Sequence, residues 1–296
     1  MSAMQFTPQE FYYHLNWRAR SVQPGSHATR TSGGSADFQS FVPFMENPNP
    51  RRIDLRATLR TVPRQLMSRA YYERGAIAVY AIVDLSASMR FSGNGDKLQL
   101  TTDIATSVAW SALRSGDNFG LIACDDAVRA DLFEPPSHRL GLPNDIYQKL
   151  SSLKSFTDNV TSKSRATANA LPLAAQQLRQ KRSLVFLISD FHLSDLLLTN
   201  LFASLSQHDV VPIVLWDSAE FKNIPTWGWA RLQDMESEKK RALFLRPSLV
   251  RQIKAAYIDR KNLITQKCLK FGLRKPFFVE DHFNTEHLTR HLLEAS

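Results

Sequence analysis

The chain has 296 residues, 43% of them hydrophobic, with 37 lysines and arginines against 28 acids and a formal net charge of +9. That length and apolar content place it among globular proteins, with one large domain and an appendage or two small ones. Apolar stretches such as residues 76–83 and 184–188 fall far below the roughly 20 residues a membrane span needs, which excludes an integral helical membrane protein from the expectations.

The N-terminal MSAMQFTPQEFYYHLNWRAR has acid and amides where a secretory apolar region would stand, so a protein of the cytoplasm is expected. Within it Phe11, Leu15 and Arg18 follow the helical period, predicting an amphipathic helix over residues 1–20. Residues 21–50, with Pro24, Gly25, Gly33, Gly34, Pro43, Pro48 and Pro50, read as irregular. Order resumes at RRIDLRATLRT, inside a run of arginines from Arg51 to Arg74. Such a stripe can neutralise phosphates, but no nucleic-acid motif with interleaved aromatics accompanies it. Arg51, Arg52 and Arg56 are therefore expected to steer an acidic protein partner, and nucleic acid ranks low.

Residues 76–83 form a continuous apolar run, the pattern of a strand covered on both faces. From Lys97 to Ser115, Leu100, Ile104, Val108 and Ala112 keep a helical stripe that Gly116 would stop. NFGLIACDD reads as a second buried strand, VRADLF as its short neighbour, and residues 144–153 as a short helix. Residues 171–180 suit a helix if Pro172 lies in its first turn. SLVFLISD is a third buried strand ending in Asp190, residues 194–206 are helical, and DVVPIVLWD is a fourth strand ending in Asp217. A long helix over 248–271, closed by Gly272, follows.

Strands alternating with helices at this spacing predict an α/β fold with a mostly parallel open sheet and helices on both faces. The expected division is an N-terminal basic extension over 1–75, the α/β domain over 76–220, and a C-terminal helical extension over 221–296 that completes it.

Asp84 and Asp190 each follow a buried strand, and in open α/β sheets ligands bind outside the carboxyl ends of the strands. With Ser86 and Ser88 they make an all-oxygen set. That chemistry suits a hard divalent cation, Mg²⁺ foremost and Mn²⁺ or Ca²⁺ after it, with waters completing the shell. The alternation in Asp84-Leu85-Ser86-Ala87-Ser88 turns three oxygen side chains toward one ion and two apolar ones away.

On these residues the chain resembles von Willebrand factor A domains. DLSAS matches the DxSxS motif of their metal-ion-dependent adhesion site. RRIDLRATLR, GDNFGLI and RSLVFLISDF resemble a bacterial branch, the cytoplasmic domain-of-unknown-function 58 proteins associated with MoxR-type AAA+ ATPases. The resemblance runs over roughly residues 45–220. It implies direct metal contacts from Ser86 and Ser88, and contacts through water from Asp84 and Asp190. It also implies a loop threonine. Thr167, shortly before Leu171-Pro172, fits that role, and Thr157 in SFTDN is the rival. The family often has Thr-Asp there, where this chain has Thr167-Ala168.

The same resemblance implies a non-enzymatic interaction module. Neutral hydroxyl contacts leave the cation electrophilic, so it takes a further carboxylate from a client or partner. The implied partner is a MoxR-type AAA+ ATPase, and the implied role is chaperone-like assembly, maturation or metallation of a client enzyme. Members in methylotroph gene clusters are linked to maturation of methanol dehydrogenase, one client the resemblance implies.

A metal-dependent phosphohydrolase is the enzymatic alternative. Phosphatases of the haloacid-dehalogenase type carry a second Asp two positions after the nucleophile, and here that position is Ser86. Nucleic-acid binding through the arginine-rich flank is the third reading. Cys124 and Cys268 sit in apolar runs with no metal-ligand spacing and read as reduced, buried and structural. The His287/His291 pair lacks the Glu of an HExxH motif and reads as a solvated helix face.

Overall fold

The computed structural model describes residues 9–17, 24–46, 48–91, 93–157, 168–222, 224–225, 227–233 and 240–294. The chain divides into two compact units.

Residues 15–77 with 115–117 form one unit. Its frame is an antiparallel pair, β1 (Pro24–Pro43) and β2 (Met67–Gly75), with the short helix α1 (Leu55–Arg60) between them in sequence. The stretch expected to be irregular is therefore largely a strand. Its prolines at 24 and 43 stand at the strand's two ends, where a missing ladder N–H costs least. Gly33 and Gly34 fall where the register slips, between Ser32 and Asp37, so the glycines are absorbed as a bulged irregularity. Asp54 caps α1: its Oδ1 accepts the Ala57 N–H at 2.9 Å, and its Oδ2 accepts Arg69 Nε and Nη2 at 2.7 and 2.5 Å.

Residues 1–14, 78–114 and 118–296 form the other unit, the expected α/β fold. In chain order it holds β3 (Ala78–Asp84), α2 (Lys97–Arg114), β4 (Asn118–Cys124), β5 (Glu134–Ser137), α3 (Leu142–Thr157) and α4 (Leu171–Ala174). Then come β6 (Leu184–Ser189), α5 (Asp195–Leu205), β7 (Asp209–Trp216), β8 (Gly228–Gln233), β9 (Lys240–Leu245), α6 (Pro247–Lys270), β10 (Phe277–Glu280) and α7 (Thr285–Glu294). Six strands make one sheet in the order β10-β7-β6-β3-β4-β5, with every neighbouring pair parallel except β4 with β5. β8 and β9 form a separate hairpin.

Both faces of the sheet are buried, as the unbroken apolar runs require. Alternate residues of the central strands, Tyr80, Ile82, Val185, Leu187, Val210 and Val214, share one core cluster with α4, α5 and α6. Ile104 and Val108 of α2 are likewise fully buried, and Gly116 ends that helix region at φ 77°.

Several expectations need correction. Residues 9–17 contain no helix. Phe11 is buried because an arm without regular secondary structure docks it edge-on against Phe186, with ring centroids 5.6 Å apart, while its N–H donates to Ser111 Oγ at 3.0 Å. VRADLF is mostly turn, joined to β4 by a single bridge between Cys124 and Val128. The neighbouring strand is Glu134–Ser137, whose two prolines are tolerated because it lies at the sheet edge. The helix at 171 lasts one turn before tightening into a 3-10 turn, and α3 runs longer than expected. β10, which joins the sheet beside β7, had too short an apolar run to announce itself.

Candidate functional site

The chain order of the sheet reverses at β3. From there one connection leads out to β4, and the chain later returns to place β6 on the other side of β3. Asp84 ends β3 and Asp190 follows β6, so the two carboxylates stand at the carboxyl ends of adjacent strands at the switch point.

Asp84 is completely buried. Its Oδ1 accepts the Ser86 N–H at 2.9 Å, and its Oδ2 accepts the Ser189 O–H at 2.6 Å. The expected strand alternation does not continue past Asp84: the chain turns into a 3-10 helix over Ala87–Arg90, and it is this turn that leaves the Ser86 and Ser88 hydroxyl oxygens 3.2 Å apart. Burial, with the Asp190 charge adding to it, pushes the Asp84 carboxyl up to about 6, against the opposing hydrogen bonds from Ser189 and Ser86. Asp190, 1% exposed, accepts the His192 N–H on Oδ1 at 3.1 Å, and its carbonyl accepts Trp216 Nε1 at 2.9 Å. Thr167 lies outside the described residues, as does the side chain of Thr157.

A group of polar side chains that sequence reasoning missed adjoins this site. Lys97, only 2% exposed, sits 3.3 Å from Asp190 Oδ2 and 2.7 Å from Glu220 Oε1. Glu220 Oε2 accepts the Tyr257 O–H at 2.9 Å and lies 3.5 Å from His192 Nε2. Burial alone would raise the Glu220 carboxyl, but the His192 and Lys97 contacts outweigh it and hold it below its ordinary range. Burial and the Glu220 charge push the Tyr257 phenol up. One signal for Lys97 was present: position 97 extends the stripe 100, 104, 108 backward by three, which puts it on the buried side of α2.

Asp217, at the end of β7, organises the loop after the serines. Its carboxylate accepts N–H groups of Gly93, Asn94, Gly95 and Ala219 at 2.8–3.1 Å. Burial works to raise this carboxyl, and the four amides together hold it below the ordinary value. A Cβ on Gly93 would come within 2.8 Å of Asp217 Oδ1, so only glycine fits the approach. Beside the site, Trp216, Phe221, Lys254, Tyr257, Lys261 and Glu280 help line a cavity of about 320 Å³.

Arg51, Arg52 and Arg56 belong to the other unit; Arg51 and Arg56 are exposed, and Arg52 lies 5.3 Å over the Tyr71 ring. The two thiols are buried and pushed up to about 12, chiefly by burial, which leaves them protonated and inert.

Among the described residues no three His, Cys, Asp or Glu side chains cluster as a metal-binding group, so any cation here depends on the serine hydroxyls. The residues present fit such an ion. Neighbouring oxygens around octahedral Mg²⁺ lie about 3 Å apart, close to the Ser86–Ser88 separation. A dication would also relieve the buried negative charge that raises Asp84. Among the described residues no helix is long and apolar enough to cross a membrane.

The conserved hypothetical protein BatB from Bacteroides thetaiotaomicron is structurally similar at 13% identity and a TM-score of 0.40, over 74% of this chain and 98% of that one. An aerotolerance-related membrane protein from Bacteroides fragilis NCTC 9343 is similar with the same identity, coverage and score. The SpRpn10 VWA domain is similar at 10% identity and a TM-score of 0.34, over 74% of this chain and 95% of that one. No curated protein matches the chain. The family model described as "Protein of unknown function DUF58" matches residues 46–262. That span covers well over half of the 296 residues, and the chain therefore belongs to the DUF58 family.

Proposed function

We propose that this chain is a non-enzymatic protein-interaction module whose contact runs through a divalent cation, Mg²⁺ foremost, held at the carboxyl ends of β3 and β6. Ser86 and Ser88 hold the ion directly, Asp84 and Asp190 hold it through water, and Thr167 is the loop ligand. The observation that carries the reading is the pair of hydroxyl oxygens 3.2 Å apart, beside a buried carboxylate at the switch point of the sheet. Neutral hydroxyls neutralise little of the ion's charge, which leaves it able to accept a carboxylate from a client. The partner is a MoxR-type AAA+ ATPase, and the work is assembly, maturation or metallation of a client enzyme, with methanol dehydrogenase as one such client. Arg51, Arg52 and Arg56 contribute long-range attraction to acidic surfaces.

The site offers little for catalysis. Asp84 accepts hydrogen bonds from Ser86 and Ser189, and Asp190 from His192 and Lys97, which favours a positioning role for both carboxylates over nucleophilic or base chemistry. The test is association with a MoxR-type AAA+ ATPase, measured with Mg²⁺, with EDTA and at two salt concentrations. Loss of binding in EDTA and in Ser86→Ala supports the reading. Binding that survives both overturns it.

A further inference from the structure

Residues 44–66 carry an apolar surface that the packing of their own unit leaves uncovered. Leu55 and Leu59, one turn apart on α1, are 70% and 67% exposed, Val62 is 94% exposed and Met45 87% exposed. Leu66 is also exposed. Backbone contacts hold these residues in one place. Asp54 N–H donates to the Met67 carbonyl at 2.9 Å, Met67 N–H donates to Thr58 Oγ1 at 3.0 Å, and Phe44 N–H donates to the Leu66 carbonyl at 2.7 Å. The helix, the loop after it and the turn at 43–46 therefore gather around the start of β2.

The charge on this surface is predominantly positive. Arg51, Arg56, Arg60 and Arg64 are exposed, and among the described residues they meet no carboxylate. Asp54 is committed to Arg69, and Glu46 is the remaining acid of the stretch. Side chains as exposed as Val62 and Met45 project from the surface. A rigid protein would need a matching hollow to receive them. A lipid interface closes around projecting aliphatic groups without one, while its anionic headgroups meet the guanidiniums.

We propose that residues 44–66 seat this protein peripherally on an anionic lipid surface. Leu55, Leu59 and Val62 enter the boundary between headgroups and acyl chains, and Arg51, Arg56, Arg60 and Arg64 pair with lipid phosphates. The inference uses none of the residues of the cation site, and though it shares Arg51 and Arg56 with the proposed attraction to an acidic partner, the leucine variant below leaves those charges in place and separates the two.

The test is co-sedimentation of the full chain with vesicles of phosphatidylcholine containing about 30% phosphatidylglycerol, and with phosphatidylcholine alone. Binding to the anionic vesicles is expected to be at least about tenfold stronger and to weaken with salt. Leu55→Ser/Leu59→Ser/Val62→Ser and, separately, Arg56→Gln/Arg60→Gln are each expected to lower it about tenfold, with thermal melts unchanged because these side chains are exposed. Ser86→Ala is expected to bind vesicles like the parent. Absence of binding to anionic vesicles overturns the inference. So does binding that the leucine variant leaves intact, or equally strong capture of soluble polyglutamate by the parent and the leucine variant, which would mark a charge-only protein-docking surface.

Discussion

The Lys97 ammonium lies 3.3 Å from the Asp190 carboxylate and 2.7 Å from Glu220, with Lys97 itself 2% exposed. A buried lysine survives only with its charge matched, and here two acids match it. The same side chain sits beside a carboxylate proposed to serve a cation, so the lysine network and that site share Asp190.

Lys97→Met is expected to destabilise the metal-free protein by about 3 kcal/mol, because the buried Asp190 and the partly buried Glu220 lose their counter-charge. Thermal melts with and without Mg²⁺ check this. The deficit should shrink in Mg²⁺ if a dication takes over at Asp190, and an equal deficit in both conditions would separate the lysine network from the cation site.

Asp84→Asn is expected to keep the fold and lose Mg²⁺ binding. The amide can still engage the Ser86 N–H and the Ser189 hydroxyl, while the buried negative charge beside Asp190 disappears. Asp84→Ala is the harsher change, since it leaves both partners unsatisfied in a closed site. Calorimetric Mg²⁺ titration read beside a melting curve distinguishes the two effects, and unchanged Mg²⁺ binding in the asparagine variant would remove Asp84 from the site.

Ser86→Ala and Ser88→Ala each delete one neutral oxygen and leave net charge untouched. Each is expected to weaken cation-dependent association about tenfold or more without changing its salt dependence. Surface plasmon resonance against the ATPase at two ionic strengths reads both quantities. A changed salt slope would mean that the serines act through something other than coordination.

Asp217→Asn is expected to cost about 1.5–3 kcal/mol at neutral pH, because a charged acceptor of four backbone N–H groups becomes a neutral one. Its folded-state pKa is depressed, so the stability it contributes is present above the unfolded value near 3.8 and is lost as pH falls through the folded value. The gap between parent and variant should therefore be full at pH 7 and close below about pH 4. Urea melts across that range measure it, and a gap that persists in acid would assign the effect to packing.

Gly120→Ala is expected to destabilise by about 1–3 kcal/mol. A Cβ there would meet the Tyr80 ring at 2.9 Å in the middle of a fully buried sheet face, where neither strand can retreat. Chemical denaturation checks the magnitude, and a neutral result would show that the Tyr80 ring can move aside.

By itself the sequence determined the elements whose signals are local. Residues 78–83, 119–124, 184–188 and 210–216 are runs without a charged or amide side chain, and each lies in a buried strand of one sheet. The stripe from Leu100 to Ala112 became α2. Those outcomes depend on side-chain periodicity, which neighbouring residues decide. The tertiary structure decided what depends on partners far along the chain. Phe11 looked helical and is instead held in an irregular arm against Phe186, 175 positions away in a sheet strand. Residues 24–43 looked irregular, and pairing with β2 made them a strand, since a ladder supplies hydrogen bonds that no local pattern records. Lys97, Glu220 and Tyr257 are unremarked polar residues in the linear chain. They became a closed network only when the first turn of α2, the residues after β7 and the middle of α6 met at the sheet edge, because a buried charge is defined by the groups that surround it and not by the residue that carries it.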